Sequence, residues 1–229
     1  MIWATIFAGG WLVWAALCRR LLDNPSGDVY TGLAWYLTRH YSRLFHRLRV
    51  EGIEHLPRGK RPGPLVVVMN HTAGIDPILV QAVCRFPIRF VMATDMRHPA
   101  GEWFWRWREV IFVDRVKGEA TGAREALRHL ARGGVLGIFP EGGIERPPSR
   151  LLPFQPGVGL ILARAKAPVL CVTIRDTPSS PTAWQSLVTP SRSVVTFHPT
   201  FLPDPGQSAK EIAADLQRRF REYTGWDVR

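Results

Sequence analysis

The chain has 229 residues, of which 46% are hydrophobic, and its formal net charge at pH 7 is +11. This length allows one sizeable core with a small appended segment, and the charge favours an anionic partner such as a nucleic acid, an acidic membrane surface or a phosphorylated small molecule. The three cysteines are far apart and odd in number, so they show neither a disulfide framework nor a zinc-binding spacing, and a reducing compartment is the default.

The N-terminal segment MIWATIFAGGWLVWAALC carries no charged side chain and is followed by Arg19 and Arg20. A secretory signal peptide would carry its positive charge before the apolar run, so we predict a retained helix that is embedded in the membrane or barely spans it, with both arginines on the cytoplasmic side. From Ile2 to Cys18 such a helix is roughly 25 Å long, slightly less than the ~30 Å of bilayer hydrocarbon. The alternative is a buried core helix.

After the linker DNPSGD, the segment LTRHYSRLFHRLRV has helical periodicity. Its apolar face comprises Leu37, Tyr41, Leu44, Phe45 and Leu48, and its basic face comprises Arg39, Arg43 and Arg47. This pattern is typical of an interfacial helix whose arginines contact lipid phosphates, although an ordinary surface helix would also fit. We therefore predict membrane-embedded and interfacial helices over residues 1–49, and a second domain over residues 50–229.

From Val50 onwards, short strand-like runs alternate with helical stretches. The strand-like runs are LVVVM, IRFVM, VIFV, VLGIF, VLCVTI and SVVTFH. One helical stretch, EATGAREALRHLARGG, stops at Gly133, and another, SAKEIAADLQRRFREY, opens with Ser208 and Glu211 at the spacing of a capping box. We predict an α/β fold with a mixed, largely parallel sheet flanked by helices.

Three polar residues, His71, Arg115 and Glu141, each follow a predicted strand. In open sheets of this class ligands gather at the carboxyl ends of the strands, so these side chains are expected to converge. In NHTAGIDP, a strand-to-helix turn would let Asp76 hydrogen-bond one ring nitrogen of His71 and leave the other free to accept a proton. The structural alternative is a helix N-cap at Asp76 and a plain turn at Asn70.

At this point the sequence resembles the glycerolipid acyltransferases, typified by 1-acylglycerol-3-phosphate acyltransferase. Four motif blocks carry the resemblance: NHTAGIDP, VIFVDR, FPEGGIER and APVLCVTI, the last preceded by PFQPGVGLILARA. They occur in the order and at the approximate spacing of that family, from about Val50 to Arg175.

The resemblance implies transfer of a fatty acyl group from coenzyme A or acyl carrier protein to a hydroxyl of a lysophospholipid or glycerol phosphate, with no cofactor and no metal. It implies that His71 is the general base and Asp76 its orienting partner. Substrate contacts would come from Asn70, Arg115, Glu141, Gly142, Gly143 and Arg146. The implied partners are membrane lipids and the acyl carrier, and the implied location is the cytoplasmic face of the cell membrane.

Two positions depart from the family pattern. The third block reads Gly143-Ile144-Glu145-Arg146 where the family usually has Thr-Arg after FPEG, so Arg146 would have to replace the missing arginine. Cys171 stands where a second proline is common. The first departure bears on the acceptor, which leaves a different lysolipid, for example an amino-acid lysolipid, or a non-catalytic lipid-binding role as alternatives.

A further stretch, GEWFWRWRE, places aromatic rings among arginines, which is typical of a membrane interface or an acyl channel and also of a packed short helix. Nucleic-acid binding is disfavoured because the basic residues are dispersed or close to the apolar N-terminus and match no recognised binding motif. The histidines also lack the His-Glu-x-x-His spacing of a zinc protease.

Overall fold

The computed structural model describes residues 2–114, 120–144, 146 and 149–229. Its helices are α1 (Ile2–Leu22), α2 (Val29–Leu44), α3 (Asp76–Val83), α4 (Glu102–Trp107), α5 (Ala120–Ala131), α6 (Pro156–Ala165) and α7 (Ala209–Thr224). Its strands are β1 (Arg49–Glu51), β2 (Leu65–Met69), β3 (Arg89–Ala93), β4 (Ile111–Val113), β5 (Val135–Ile138), β6 (Val169–Arg175) and β7 (Val194–Phe197).

These strands form one seven-stranded sheet in the order β1-β7-β6-β2-β5-β3-β4. Every neighbouring pair is parallel except β6 and β7, which are antiparallel. The predicted mixed, largely parallel sheet flanked by helices is therefore confirmed. The central strand β2 is buried along its whole length, as expected for a strand covered on both faces, which explains why its sequence is a continuous apolar run rather than an alternating one.

Two apolar layers cover the two faces of the sheet. One contains the inward sides of α5, α6 and α7, and the other contains α3 with side chains from α2. Helices α6 and α7 pack closely, and a Cβ built on Gly159 would lie 1.8 Å from the carbonyl oxygen of Ala209. Only glycine allows these two backbones to approach this closely.

Both helices predicted from local signals are present. Helix α5 buries Ala126 and Leu130, and Gly133 follows it with φ of 79°. Helix α7 begins with a capping box between Ser208 and Glu211 and buries Ile212, Leu216 and Phe220.

The N-terminal helices differ in part from the prediction. In α1, the window Thr5–Leu22 is long and apolar enough to cross a membrane and none of it is buried, so the alternative of a buried core helix is wrong. Helix α2 starts earlier than the predicted amphipathic segment and ends at Leu44, because the chain turns through the left-handed region at Arg47 with φ of 43°. Consequently Phe45 and Leu48 do not extend a helical stripe, and Leu48 instead packs against the core.

Helix α2 is attached to the sheet domain by specific contacts. The indole of Trp35 donates a hydrogen bond of 3.1 Å to the carbonyl of Cys84, and the hydroxyl of Tyr41 donates to the carbonyl of Leu187. The buried ring of His46 bonds both the hydroxyl of Tyr41 and that of Ser191, and burial lowers its pKa.

Candidate active site

The candidate site starts where β2 ends at the carboxyl edge of the sheet. Asn70 is completely buried there, and its amide oxygen accepts from the N–H of Ile174 at 2.7 Å while its amide nitrogen donates to the carbonyl of Ile174 at 2.8 Å. The side chain thus joins the end of β2 to β6 and holds the following residue in place. Its predicted contact with substrate remains a prediction, because both ends of the amide are already occupied.

The next residue, His71, meets Asp76 as expected for a strand-to-helix turn. The distance from His71 Nδ1 to Asp76 Oδ2 is 2.9 Å, and the same oxygen accepts the backbone N–H groups of Thr72 at 2.7 Å and Ala73 at 2.8 Å. A carboxylate only accepts hydrogen bonds, so in the neutral ring the hydrogen lies on Nδ1 and Nε2 carries the lone pair. Helix α3 begins at Asp76 itself, one residue earlier than predicted, with Pro77 in its first turn.

Burial distinguishes the two partners of this pair. The Asp76 side chain is 0% exposed and the His71 side chain 19% exposed. The carboxylate is therefore enclosed by the loop that it organises, while one edge of the imidazole reaches open space. The alternative of a helix N-cap at Asp76 is wrong, because the N-cap is Ile75 and the N–H groups that Asp76 accepts, those of Thr72 and Ala73, precede the helix. The same carboxylate oxygen accepts these loop N–H groups and pairs with the ring.

The segment after β5 fixes the ring of His71 from a second direction. Phe139 stacks on it with ring centroids 4.1 Å apart. The buried carboxylate of Glu141 accepts the backbone N–H of His71 at 2.7 Å through one oxygen and that of Leu152 at 2.8 Å through the other. The structure therefore brings His71 and Glu141 together, with Glu141 as a brace between three segments of the chain. A direct contact of Glu141 with substrate remains a prediction.

The turn after Glu141 needs its first glycine. Gly142 has φ of 68°, and an added Cβ would lie 3.3 Å from Cγ of Gln155. Its N–H donates to the carbonyl of Phe139 at 3.1 Å, so in this conformation it is not available to a ligand oxygen. Gly143 is half-buried beside it, and the substrate contacts predicted for both glycines remain predictions.

The structure describes only one of the two predicted arginines. Arg115 lies outside the described residues. Arg146 is exposed, and its Nη1 donates to the carbonyl of Ser180. The contact predicted for it is with an acceptor phosphate. That contact remains a prediction.

A cleft of about 1810 Å³ opens at the exposed edge of His71. Near this edge it is lined by Phe139, Gly142 and Ile144. Farther along it is lined by aromatic side chains, namely Trp103, Phe104, Trp105, Trp107 and Trp184. Its volume and aromatic walls are suited to a large apolar ligand.

The aromatic residues of α4 divide between the two roles that the sequence suggests, which are core packing and contact with a membrane or substrate. Trp105 is buried against Trp184 and donates from its indole to the carbonyl of His98 at 3.3 Å, as a core residue would. Trp103 is 69% exposed and Trp107 is 40% exposed, so both remain open to a membrane or to substrate.

One residue that lines the cleft was missed in the sequence. Arg108 donates from Nη2 to Oε1 of Gln81 at 2.6 Å, and burial lowers the pKa of its guanidinium. Nothing in the local pattern separates it from Arg106, which is exposed on the same stretch. The stacking of Phe139 on His71 was missed as well, although Phe139 opens the third motif block.

Among the described residues, no group of three or more His, Cys, Asp or Glu side chains is arranged to hold a metal ion.

Comparison with known proteins agrees with this arrangement. The family model described as Acyltransferase matches residues 47–175, which include the His–Asp pair and the motif segments described above. The crystal structure of the 1-acyl-sn-glycerophosphate (LPA) acyltransferase PlsC from Thermotoga maritima is similar in fold, with a TM-score of 0.69 and 21% sequence identity, over 96% of this chain and 88% of that chain. No curated protein matches the chain. Since the family model covers more than half of the sequence, the chain belongs to the acyltransferase family, as its resemblance to the glycerolipid acyltransferases predicted.

Proposed function

We propose that this acyltransferase moves a fatty acyl group from an acyl-thioester, carried by coenzyme A or acyl carrier protein, to a hydroxyl of a lysophospholipid, with 1-acylglycerol-3-phosphate as the first candidate acceptor. The observation that carries the proposal is the hydrogen bond of 2.9 Å between His71, which lines a cleft of about 1810 Å³, and the fully buried Asp76. This pair supplies a base without a protein nucleophile.

The chemistry follows from the orientation of the ring. Nε2 of His71 takes the proton of the acceptor hydroxyl as its oxygen attacks the thioester carbonyl. The resulting imidazolium is stabilised by the Asp76 carboxylate on Nδ1. When the tetrahedral intermediate collapses, the carbon–sulfur bond breaks and the thiolate receives the proton from His71. One alcohol and one thioester thus become one ester and one thiol, with no proton left over.

The supporting contacts explain why the pair is held ready for this reaction. Asp76 is oriented by two backbone N–H groups, and the His71 ring by Phe139 on one face and by Glu141 through its backbone. General-base catalysis by a positioned side chain is worth ~10²–10⁴ in rate. The proposed role requires the ring to keep this orientation throughout turnover.

The acceptor is proposed with one specific alternative. Ile144 lines the cleft at the position where the family usually has arginine, so the acceptor phosphate has one cationic contact fewer near His71. This favours a second candidate acceptor, a lysolipid without a terminal phosphate, such as an amino-acid lysolipid. A non-catalytic lipid-binding role would keep the cleft but not require the His–Asp geometry.

The proposed location is the cytoplasmic face of the cell membrane, where the apolar helix α1 would hold the cleft close to its lipid substrates. Support comes from the apolar window Thr5–Leu22, none of which is buried, and from Arg19 and Arg20 near its end. Deleting residues 1–20 should move the protein from the membrane fraction to the soluble fraction. An unchanged distribution would show that α1 is not the anchor.

The test of the reaction uses purified protein, one acyl-coenzyme A and a panel of acceptors that includes lysophosphatidate, other lysolipids and an amino-acid lysolipid. Release of free thiol and formation of the new ester should both occur with at least one acceptor. His71→Ala should lower turnover by ~10²–10⁴, whereas His40→Ala, an exposed histidine on α2, should not. Wild-type turnover by His71→Ala would make the catalytic assignment wrong.

The same assay tests the predicted phosphate ligand. Arg115→Ala should raise the apparent KM for lysophosphatidate more than that for a lysolipid without a terminal phosphate, because the lost contact is with that phosphate. Equal KM changes for both acceptors would remove Arg115 from the phosphate site.

A further inference from the structure

A second cavity, of about 810 Å³, lies against the edge strand β4 and the last turn of α5. We call it the arginine cavity, after the arginines that line it, which are Arg89, Arg97, Arg106, Arg128 and Arg132. Neither the motif blocks nor the His–Asp chemistry accounts for such a concentration of one residue type.

The carboxylates in this cavity are already engaged by two of the arginines. Arg97 binds Glu102 with two hydrogen bonds, of 2.9 and 2.6 Å. Arg89 pairs with Glu125, and its Nε lies 3.9 Å from a carboxylate oxygen of Glu109.

The other three arginines keep their charge available. Among the described residues, no carboxylate lies within ion-pair distance of Arg106, Arg128 or Arg132. All three side chains are exposed at the cavity. The arginine cavity is therefore positively charged and suited to an anion with several charges.

The arginine cavity adjoins the cleft that leads to His71. Arg89, Trp105, Glu109, Val110 and His129 line both spaces. A ligand that crosses this shared boundary would have its charged end among the arginines and its other end at the imidazole.

The register of the sheet gives the length that such a ligand needs. Arg89 on β3 lies opposite Leu136 on β5, and Leu136 lies opposite Val66 on β2. His71 is therefore about five residues farther along the strands, ~16 Å, and two strands across, ~10 Å, or roughly 19 Å away. An extended pantetheine arm with its pyrophosphate has about as many chain atoms as a peptide of five to six residues, which spans roughly the same distance.

We propose that the arginine cavity binds the phosphorylated nucleotide end of an acyl-coenzyme A donor, while its pantetheine arm follows the cleft and presents the thioester to His71. This assignment rests on the proposed function and names the carrier. The cavity volume of about 810 Å³ lies in the range of small-molecule sites, ~300–1,000 Å³. An acidic carrier protein would instead require a docking surface of ~800 Å² on each partner.

The direct test measures binding of free coenzyme A, which needs no turnover, by titration calorimetry. The test variant is Arg128→Gln/Arg132→Gln, and the control is Arg164→Gln, which removes an equally exposed arginine from the last turn of α6, outside both cavities. The Kd of the test variant should rise about tenfold or more, because a charge-assisted hydrogen bond contributes about one order of magnitude or more to affinity. The control should bind as the wild type does.

A kinetic test separates the nucleotide end from the reacting end. With acyl-coenzyme A the test variant should show a raised KM for the donor and an unchanged kcat, whereas with an acyl-phosphopantetheine thioester its KM should equal that of the wild type. Dephospho-coenzyme A, with fewer charges, should bind the unmodified protein more weakly than coenzyme A, so the assignment is tested even if the variant unfolds.

The possible results have distinct meanings. Equal Kd values for the test variant and the control, or equal binding of coenzyme A and its dephospho form, would overturn the assignment. The assignment would also be overturned if the wild type used acyl carrier protein as donor and did not bind coenzyme A. That result would indicate a carrier protein as the occupant. Binding of coenzyme A that depends on the arginines, without acyl transfer to any acceptor, would support the arginine cavity and refute the proposed function alone.

Discussion

The sharpest prediction concerns Asp76→Asn, which removes a charge and almost no volume. Asp76 Oδ2 accepts three hydrogen bonds from N–H groups, and an asparagine oxygen in that position can still accept all of them. Its new amide group would face the hydroxyl of Thr72, which now donates to Oδ1 at 3.2 Å and can rotate to accept. The variant is therefore expected to fold, with a loss of about 1–3 kcal/mol in the free energy of unfolding from weaker, uncharged hydrogen bonds.

The catalytic loss follows from the charge itself. With ring and carboxylate centres about 4 Å apart, their attraction is about 4 kcal/mol at an effective dielectric constant of about 20. This attraction stabilises the imidazolium only after the proton has moved, so its loss raises the barrier. The neutral amide keeps part of the interaction through its dipole. We expect kcat to fall by ~10²–10³ with little change in the KM of either substrate.

A double-mutant cycle shows whether this effect passes through His71. His71→Ala should lower kcat by ~10²–10⁴, and adding Asp76→Asn should cost no more than about threefold beyond that, since the carboxylate then has no imidazolium to stabilise. Turnover is measured as thiol release at saturating substrates, and thermal unfolding is followed for each variant. Losses that multiply in the double variant would refute the reasoning, because Asp76 would then act independently of the ring.

Three further predictions concern supporting residues. Glu141→Gln leaves one of two buried N–H groups without an acceptor, so the free energy of unfolding should fall by about 1–3 kcal/mol and kcat should fall with it; a variant with wild-type stability in urea would contradict the bracing role. Gly159→Ala should lower stability by about 1–3 kcal/mol through its clash with α7, whereas Gly157→Ala on the same helix, with nothing within 4 Å, should not; equal midpoints in urea would argue against close α6–α7 packing. Burial lowers the pKa of His198 to about 4, so the unfolded state gains a proton first and stability should drop by about 1–2 kcal/mol between pH 6.5 and 4, after allowance for partial exposure. His198→Phe should reduce this drop, and an equal drop in the variant would rule out His198 as its source.

Several elements could be predicted from the sequence because their causes are local. The strands β2 to β7 coincide with apolar runs, and α7 with a capping box and an apolar stripe. By contrast, β1 comprises only Arg49–Glu51 and has no apolar run, so it was missed; it exists because β7 offers it a partner. The prediction of a continuous amphipathic helix from Leu37 to Leu48 is wrong beyond Leu44. The chain turns at Arg47, because contacts of the following residues with the core outweigh helical periodicity.

In the candidate site, too, some contacts follow from local sequence and others depend on segments far apart in the chain. The spacing of His71 and Asp76, together with the strand-to-helix turn, predicted that they meet, and the rule about strand ends predicted that Glu141 approaches them. The brace formed by Asn70 and Ile174 depends on β6 lying beside β2, which no local pattern reveals. For the same reason the stacking of Phe139 and the cleft position of Arg108 were not foreseen.

What the sequence by itself determined is the class of elements, their approximate bounds and the His–Asp pair, since periodicity, capping and short turns act over a few residues. Only the tertiary structure decided the order of the strands, the cleft beside His71 and the arginine cavity at the sheet edge. Those features arise between segments far apart in the chain, where burial of apolar surface and pairing of backbone groups select one arrangement among many that local preferences allow.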